Sequence, residues 1–277
     1  MDNKRYDLTN VLVTGASGNL GKIICLILKK QKISFKKLSS FHKKKKFPLE
    51  ISASVFELSK YLKPSLIIHS AIDNKKSPNL NKNLMMIKNL IRYFNVPIIY
   101  ISSVSVYSGL NKKYLSESIT KYKLNTKYSL VKRRCEETLL SRKFNNDLCL
   151  RIPGIFFNKR KDGLIYNLLN NYKKKNYKIK FFDLHKQWQF IHNKHFEVYF
   201  SEILNMKKLK YNIINVGYKD WISVLKVIKI LNKKFSKKKK ILLKNKTNMT
   251  KLNLKRLGKI TKNKLFTLNE GIELLIK

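Results

Sequence analysis

Along the first half of the chain, short, largely apolar runs alternate with stretches in which apolar residues recur every three to four positions. The runs are Val11-Leu12-Val13, Leu66-Ile67-Ile68-His69, Pro97-Ile98-Ile99-Tyr100-Ile101 and Leu148-Cys149-Leu150-Arg151-Ile152; Ile33 to Leu38, interrupted by Ser34, Lys36 and Lys37, also reads as a strand. Runs of this length and composition fit strands buried on both faces, as in a parallel sheet. Between them, Ile23 to Leu28, Phe56 to Leu62, Leu84 to Phe94 and Tyr128 to Leu140 read as helices; in the third, Leu84, Ile87, Leu90 and Ile91 stand at helical spacing. This alternation predicts βαβ units with right-handed crossovers, and so an α/β fold with a Rossmann-like doubly wound parallel sheet.

The second half is less regular and predicts a smaller C-terminal α/β lobe. Leu164 to Tyr172 reads as a helix, Tyr211 to Val216 as a strand returning to the sheet, Ile222 to Leu231 as a helix and Ile241-Leu242-Leu243 as a strand. Thr267-Leu268-Asn269-Glu270 is a capping-box pattern that opens a last helix, Glu270 to Ile276. The lysine run Lys43 to Lys46 reads as an exposed loop and Lys237 to Lys240 as a solvated turn. No internal repeat and no long linker interrupts the chain.

Length and composition sharpen this picture. The 277 residues are 43% hydrophobic, enough for a sizeable core. Lys and Arg number 61 against 16 Asp and Glu, a formal charge of +45. The excess is mostly lysine and runs along the whole chain, beside abundant Asn and Ile and only 9 Gly and 5 Pro. Lys, Asn and Ile share A/T-rich codons, so a biased genome accounts for the charge and argues against a dedicated nucleic-acid partner. The charge still favours anionic ligands. Cys25, Cys135 and Cys149 have no metal-ligand spacing and read as buried free thiols of a reducing compartment. With a polar start, Met1 to Asn10, and no stretch of membrane-spanning length, a soluble cytoplasmic protein is expected.

Candidate chemistry begins at Val11-Leu12-Val13-Thr14-Gly15-Ala16-Ser17-Gly18-Asn19-Leu20-Gly21. A strand leads into three glycines, and an apolar helix follows. Glycines let the backbone turn tightly and approach a phosphate; the new helix points free N–H groups at it. This order predicts a bound dinucleotide. Tyr128-Ser129-Leu130-Val131-Lys132 puts Tyr and Lys on one helix face. An ammonium beside a phenol favours the phenolate, which suits proton transfer near neutral pH. Ile101-Ser102-Ser103-Val104-Ser105-Val106-Tyr107 places hydroxyls at the carboxyl end of a strand, where open α/β sheets bind ligands. His192 and His195 are close in sequence but lack a third ligand nearby, so no metal is expected.

Taken in order, these blocks resemble an extended short-chain dehydrogenase/reductase, the NAD-dependent epimerases, dehydratases and reductases of nucleotide sugars. Thr14 to Gly21 matches the cofactor turn, which implies contacts from Gly15, Ser17, Gly18, Asn19, Leu20 and Gly21. Leu66 to Ala71 resembles the strand ending in a small-residue pair, Ser70-Ala71, beside the cofactor. Ser102 to Tyr107 resembles the Ser-Ser-x-x-Val-Tyr block, and Tyr128-x-x-x-Lys132 with Glu136 the catalytic helix. Leu150-Arg151-Ile152-Pro153-Gly154 resembles the strand that follows, with Ile152 at the cofactor. Tyr211 to Gly217 and Leu268 to Ile272 resemble C-terminal segments. The resemblance implies Tyr128 as general acid/base, Lys132 on Tyr128 and the nicotinamide ribose, and Ser103 as the catalytic serine. It implies a dinucleotide-binding domain over 1–155 and a mainly substrate-binding lobe over 156–277, with 211–217 back in the main sheet. It also implies a homodimer through two helices, one of them Tyr128 to Leu140.

Departures from the family pattern bear on ligand choice. An acid for the adenine ribose is expected near Ser39 and Ser40, yet Lys36 to Lys43 has none. NADP is therefore preferred, with NAD the alternative. Ser103-Val104 lacks the Asp-Glu pair of dehydratases, which leaves 4-epimerisation and 4-keto reduction. The substrate-side segment Gln187-Trp188-Gln189-Phe190-Ile191 lacks the diphosphate arginine; Lys159, Arg160 or Lys161 could replace it. Trp188 reads as a core residue or as a platform for a base or sugar. The competing function is a non-catalytic NAD(P)-binding sensor or an RNA-binding protein on the same fold; intact Ser103, Tyr128 and Lys132 argue against it.

Overall fold

The computed structural model describes residues 5–38, 41–42, 45–46, 48–73, 77–110, 112–157, 163–173, 179–181, 189–207, 211–235, 241–243, 250–262 and 264–276. Its centre is a parallel sheet of six strands: β1 (Val11–Thr14), β2 (Phe35–Leu38), β3 (Leu66–His69), β4 (Ile98–Ser103), β5 (Leu148–Ile152) and β6 (Ile213–Asn215). Their order across the sheet is β6-β5-β4-β3-β1-β2. The chain starts in mid-sheet at β1, runs outward to β2, then crosses back to lay β3 on the other side of β1. The carboxyl ends of β1 and β3 therefore flank the point where the winding reverses, and a crevice opens there. Helices α1 (Asn19–Lys30), α2 (Ser52–Tyr61), α3 (Leu80–Tyr93) and α4 (Lys127–Leu140) make the crossovers among the first five strands.

Strand alternation sorts the core into two layers. Val11, Val13, Leu66, Ile68, Ile99, Ile101, Leu148 and Leu150 face one side, packed with Ile24, Ile27 and Leu28 of α1. Leu12, Ile67, Ile98, Tyr100 and Cys149 face the other, with Val55 and Leu58 of α2, Ile87 and Leu90 of α3 and Val131, Cys135 and Leu139 of α4. Burial on both faces explains why these strands read as largely apolar runs. The three cysteines are buried free thiols.

Past β5, the chain adds α5 (Leu164–Lys173), α6 (Asn193–Leu204), α7 (Val224–Lys234), α8 (Lys255–Ile260) and α9 (Leu268–Ile276). Three short parallel pairs tie this region together: Gly154–Phe156 with Phe190–His192, Tyr114–Leu115 with Lys251–Leu252, and Ile179–Phe181 with Ile241–Leu243. Asn215 of β6 lies opposite Arg151 of β5. The capping box of α9 forms in both directions: the Thr267 amide donates to Glu270 Oε2 at 2.6 Å, and the Glu270 amide to Thr267 Oγ1 at 3.3 Å.

Two sequence expectations need correction. Lys43 to Lys46 is not simply a loop, because Lys45–Lys46 pairs antiparallel with Phe41–His42. The second strand starts at Phe35 rather than Ile33, because Gln31 and Lys32 end α1 in a turn, Lys32 with a positive φ of 56°. Lys237 to Lys240 falls outside the described residues. Among the described residues no helix is long and apolar enough to cross a membrane.

Candidate active site

The turn after β1 is shaped by what surrounds its glycines. Gly15 has φ +68°, and a Cβ there would lie 2.5 Å from the Ala71 amide nitrogen. A Cβ on Gly21 would sit 2.1 Å from the Gly15 carbonyl oxygen. Both positions thus exclude any side chain. Gly18 is different: its Cβ would meet only the Gly15 oxygen, at 3.4 Å. Gly18 is also the N-cap of α1, and no side chain caps that end. The first amides of α1 are thereby left for an incoming anion, with the helix dipole behind them. Ser70 closes the neighbouring strand end, its hydroxyl donating to the Thr14 carbonyl at 2.7 Å.

Beside this turn lies a cleft of about 420 Å³. One wall is the glycine turn: Gly15, Gly18, Asn19, Leu20, Gly21 and Ser70. The floor is the carboxyl end of β4, Ile101 to Ser103, with Tyr128 and Lys132 of α4. The far wall is Ile152, Pro153, Gly154, Ile155 and Phe157. A narrow slot between a glycine-rich helix start and a bank of hydroxyl, phenol and ammonium groups fits a dinucleotide; side chains at Gly15 and Gly21 would collapse the turn that forms one wall.

Most of the sequence-derived candidates therefore come together. Ser17 is exposed and Ala71 abuts Gly15 through its backbone; neither lines the cleft. Ser39, Ser40, Lys159, Arg160, Lys161 and Trp188 lie outside the described residues. His192 and His195 sit with ring centroids 6.1 Å apart, packed against Phe156, Tyr218 and Phe266.

Local structure fixes the polar bank. Thr126 caps α4, its hydroxyl accepting from the Ser129 amide at 3.0 Å while Ser129 Oγ accepts from the Thr126 amide. This sets the first turn of α4, and with it Tyr128. Lys132 is almost fully buried and donates from Nζ to the Ile101 carbonyl at 2.7 Å. Its ammonium lies 4.9 Å from the Tyr100 ring centroid and 5.8 Å from that of Tyr128. Ser102 and Ser103 both line the cleft, but adjacent strand residues face opposite ways and their hydroxyls take different partners. Ser103 lines the cleft and accepts from the Ser105 amide at 3.1 Å. Ser102 donates to Glu136 Oε1 at 2.5 Å.

Two further features escaped the sequence reading. His69 at the end of β3 lies 2.7 Å from Thr14 Oγ1 through Nδ1 and stacks on Tyr100. Burial, with the Lys132 ammonium nearby, drives its pKa down to about 3, so the ring is neutral. The other feature is a buried ion pair between Glu136 and Arg151. A charged residue inside an apolar strand run, as in Leu150-Arg151-Ile152, was the available signal, because such a charge needs a buried counter-charge.

Solved structures share this architecture. A UDP-glucose 4-epimerase from Thermotoga maritima with UDP-glucose aligns with TM-score 0.74 at 15% identity, covering 96% of this chain and 97% of that one. RMD from Pseudomonas aeruginosa, complexed with NADPH, gives 0.76 at 18%, covering 97% and 98%. A dTDP-glucose 4,6-dehydratase from Bacillus anthracis in complex with NAD gives 0.76 at 14%, covering 97% and 95%. A search of curated proteins finds no match. Residues 11–217, which hold the glycine turn, Ser103, Tyr128, Lys132 and the last sheet strand, match the NAD dependent epimerase/dehydratase family, and the chain belongs to that family.

Proposed function

We propose that the protein is a nicotinamide-dependent epimerase or reductase that acts at a hydroxyl or ketone of a nucleotide-activated sugar. The observation that carries this reading is the single cleft shared by the phosphate-type glycine turn and by Ser103, Tyr128 and Lys132. Likeness in fold to an epimerase with bound UDP-glucose and to a protein with bound NADPH supports the ligand classes.

Gly15, Gly18 and Gly21 form the cradle for the cofactor phosphates, with Asn19, Leu20, Ser70 and Ile152 around it. The bound nicotinamide would supply or take up a hydride at a sugar carbon. Tyr128 gives a proton to the sugar oxygen when a ketone is reduced, and takes it back when a hydroxyl is oxidised. Ser103 hydrogen-bonds the same oxygen and fixes it against Tyr128. Lys132, anchored on the Ile101 carbonyl, keeps a positive charge beside the phenol and offers its remaining N–H groups to the cofactor ribose. Ser103-Val104 carries no Asp-Glu pair of the kind dehydratases place beside the catalytic hydroxyl residue, which favours epimerisation or reduction. NADP is the preferred cofactor, because exposed Lys36 and Lys37 on β2 lead into the acid-free segment. The lobe over 156–277 would hold the nucleotide sugar, and a second copy would pair through a face that includes α4.

The test is a panel of UDP-, GDP- and dTDP-linked 4-keto sugars with NADPH or NADH, followed by cofactor absorbance. A separate product assay detects epimerisation, which leaves the cofactor unchanged overall. Tyr128→Phe is expected to lower turnover by about 10²- to 10⁴-fold with cofactor binding intact. Inactivity in both assays, with steeply salt-dependent RNA binding, would instead point to the non-catalytic reading. NADH binding as tightly as NADPH would reverse the cofactor preference.

A further inference from the structure

The Glu136 carboxylate is fully buried and takes four hydrogen bonds. Oε1 accepts from Ser102 Oγ at 2.5 Å and from Arg151 Nε at 2.9 Å. Oε2 accepts from Arg151 Nη2 at 2.6 Å and from Arg133 Nη1 at 3.2 Å. Arg151 is fully buried as well, and its third contact runs from Nη1 to the Tyr107 hydroxyl at 2.7 Å. Tyr107 in turn donates to Asn215 Oδ1 of β6 at 2.9 Å. Burial alone would make the guanidinium easier to neutralise, yet the bonds to Glu136 outweigh it and hold Arg151 above its ordinary range.

The placement of these contacts is specific. Lys132 and Glu136 are one helical turn apart on the same face of α4. Lys132 grips the Ile101 carbonyl and Glu136 grips the Ser102 hydroxyl, which are consecutive residues at the end of β4. The next residue is Ser103, and all three of these residues line the cleft. Arg151 fixes the neighbouring strand just before Ile152, also in the cleft, and holds Tyr107 at the end of the turn Val104–Tyr107. A buried pair of this kind adds little stability over apolar residues of equal volume, because desolvation offsets the attraction.

Resting on the functional reading above, we propose that Glu136 and Arg151 are positioning residues: through Ser102 and Lys132 they set the distance from Ser103 on β4 to Tyr128 on α4. Neither lines the cleft. A displacement of about 1 Å between such groups costs on the order of 10² in rate.

The experiment compares Glu136→Gln and Ser102→Ala with the wild-type chain. Glu136→Gln keeps the shape and removes the charge; Ser102→Ala cuts the link to β4 and is the milder change should the first fail to fold. Expected are a kcat lowered at least tenfold by either variant, KM and cofactor Kd within about threefold, and faster amide hydrogen exchange confined to residues 98–107. Ser102→Thr, which keeps the hydroxyl, is expected to recover most of the rate. Unchanged kcat and exchange in a folded Ser102→Ala would overturn the proposal, as would losses that merely follow global unfolding. The exchange measurement needs no turnover, so it separates failure of this proposal from failure of the functional reading.

Discussion

At Gly15, backbone conformation and space both forbid a side chain, whereas at Gly18 neither does. The two glycines therefore predict opposite phenotypes. Gly15→Ala must place a Cβ at φ +68° and against Ala71, and is expected to destabilise the fold by more than about 1 kcal/mol. Gly18→Ala is expected to leave the thermal midpoint nearly unchanged and to weaken NADPH binding about tenfold, because it fills the space a phosphate would use. Unfolding curves and fluorescence titration read both; a Gly18→Ala variant with wild-type affinity would remove the phosphate from this turn. His69 gives a second residue-scale prediction. Its folded pKa of about 3 lies below the ordinary histidine value, so the unfolded chain takes up a proton first as pH falls below about 6.5. Its contribution is fully present above that pH and is lost towards pH 3, with a slope of about 1.4 kcal/mol per pH unit. Glu117 and Asp147, whose pKa values burial raises, act in the opposite sense, but they are common to wild type and variant. Urea midpoints at pH 7 and pH 5 are expected to differ less in His69→Asn than in wild type. Equal differences would refute the assignment.

The elements that carry the site were largely readable, and the reason is periodicity. Helix α4 reads as Tyr128 to Leu140 from spacing and is found as Lys127–Leu140, and Leu148–Ile152 forms the strand its pattern predicts. Helix α3 begins earlier than Leu84, at Leu80, because its first turn is polar and held by the Asn79 cap and by buried Asn83, which bonds Asp73 and Asn79. Phe196, Tyr199, Phe200, Ile203 and Leu204 of α6 stand at helical spacing, but the helix follows a strand without a break and is capped by His192 rather than by Ser, Thr, Asp or Asn, so its start carries no sequence signal. The two-residue pair Tyr114–Leu115 with Lys251–Leu252 has no local signal, since its partners lie far apart in the chain. Glu136 and Arg151 were legible as residues and not as a pair for the same reason. The cap of α4 yields the element-scale prediction. Thr126→Ala removes the capping box that fixes the turn bearing Tyr128, and is expected to cost about 1 kcal/mol of stability. Thr126→Ser, which keeps the oxygen, is expected to cost clearly less in the same unfolding experiment; an equal loss from both would mean that packing of the methyl, not the cap, matters.

Over the whole molecule, charge acts on stability and on ligand binding in opposite directions. With 61 basic and 16 acidic side chains, 45 positive charges stay uncompensated even when every acid is paired. Several acids are spent locally, as in Lys30–Glu197, Lys226–Asp220 and Lys234–Glu273 on the surface and Arg142–Asp147 and Arg151–Glu136 inside. The remaining lysines repel one another in the compact state more than in the expanded chain, so screening relieves the folded form. The same field draws polyanions, and its attraction for NADPH, with one more phosphate than NADH, is the larger. Raising sodium chloride from about 50 mM to about 500 mM shortens the screening length several-fold. The urea midpoint is expected to rise across that range while NADPH affinity falls, and NADH affinity is expected to fall less. Parallel salt dependence for the two cofactors would mean that the 2′-phosphate meets no local positive charge, and the lysines around β2 would then have no part in cofactor choice. A urea midpoint that falls with salt would mean instead that the local ion pairs outweigh the general repulsion.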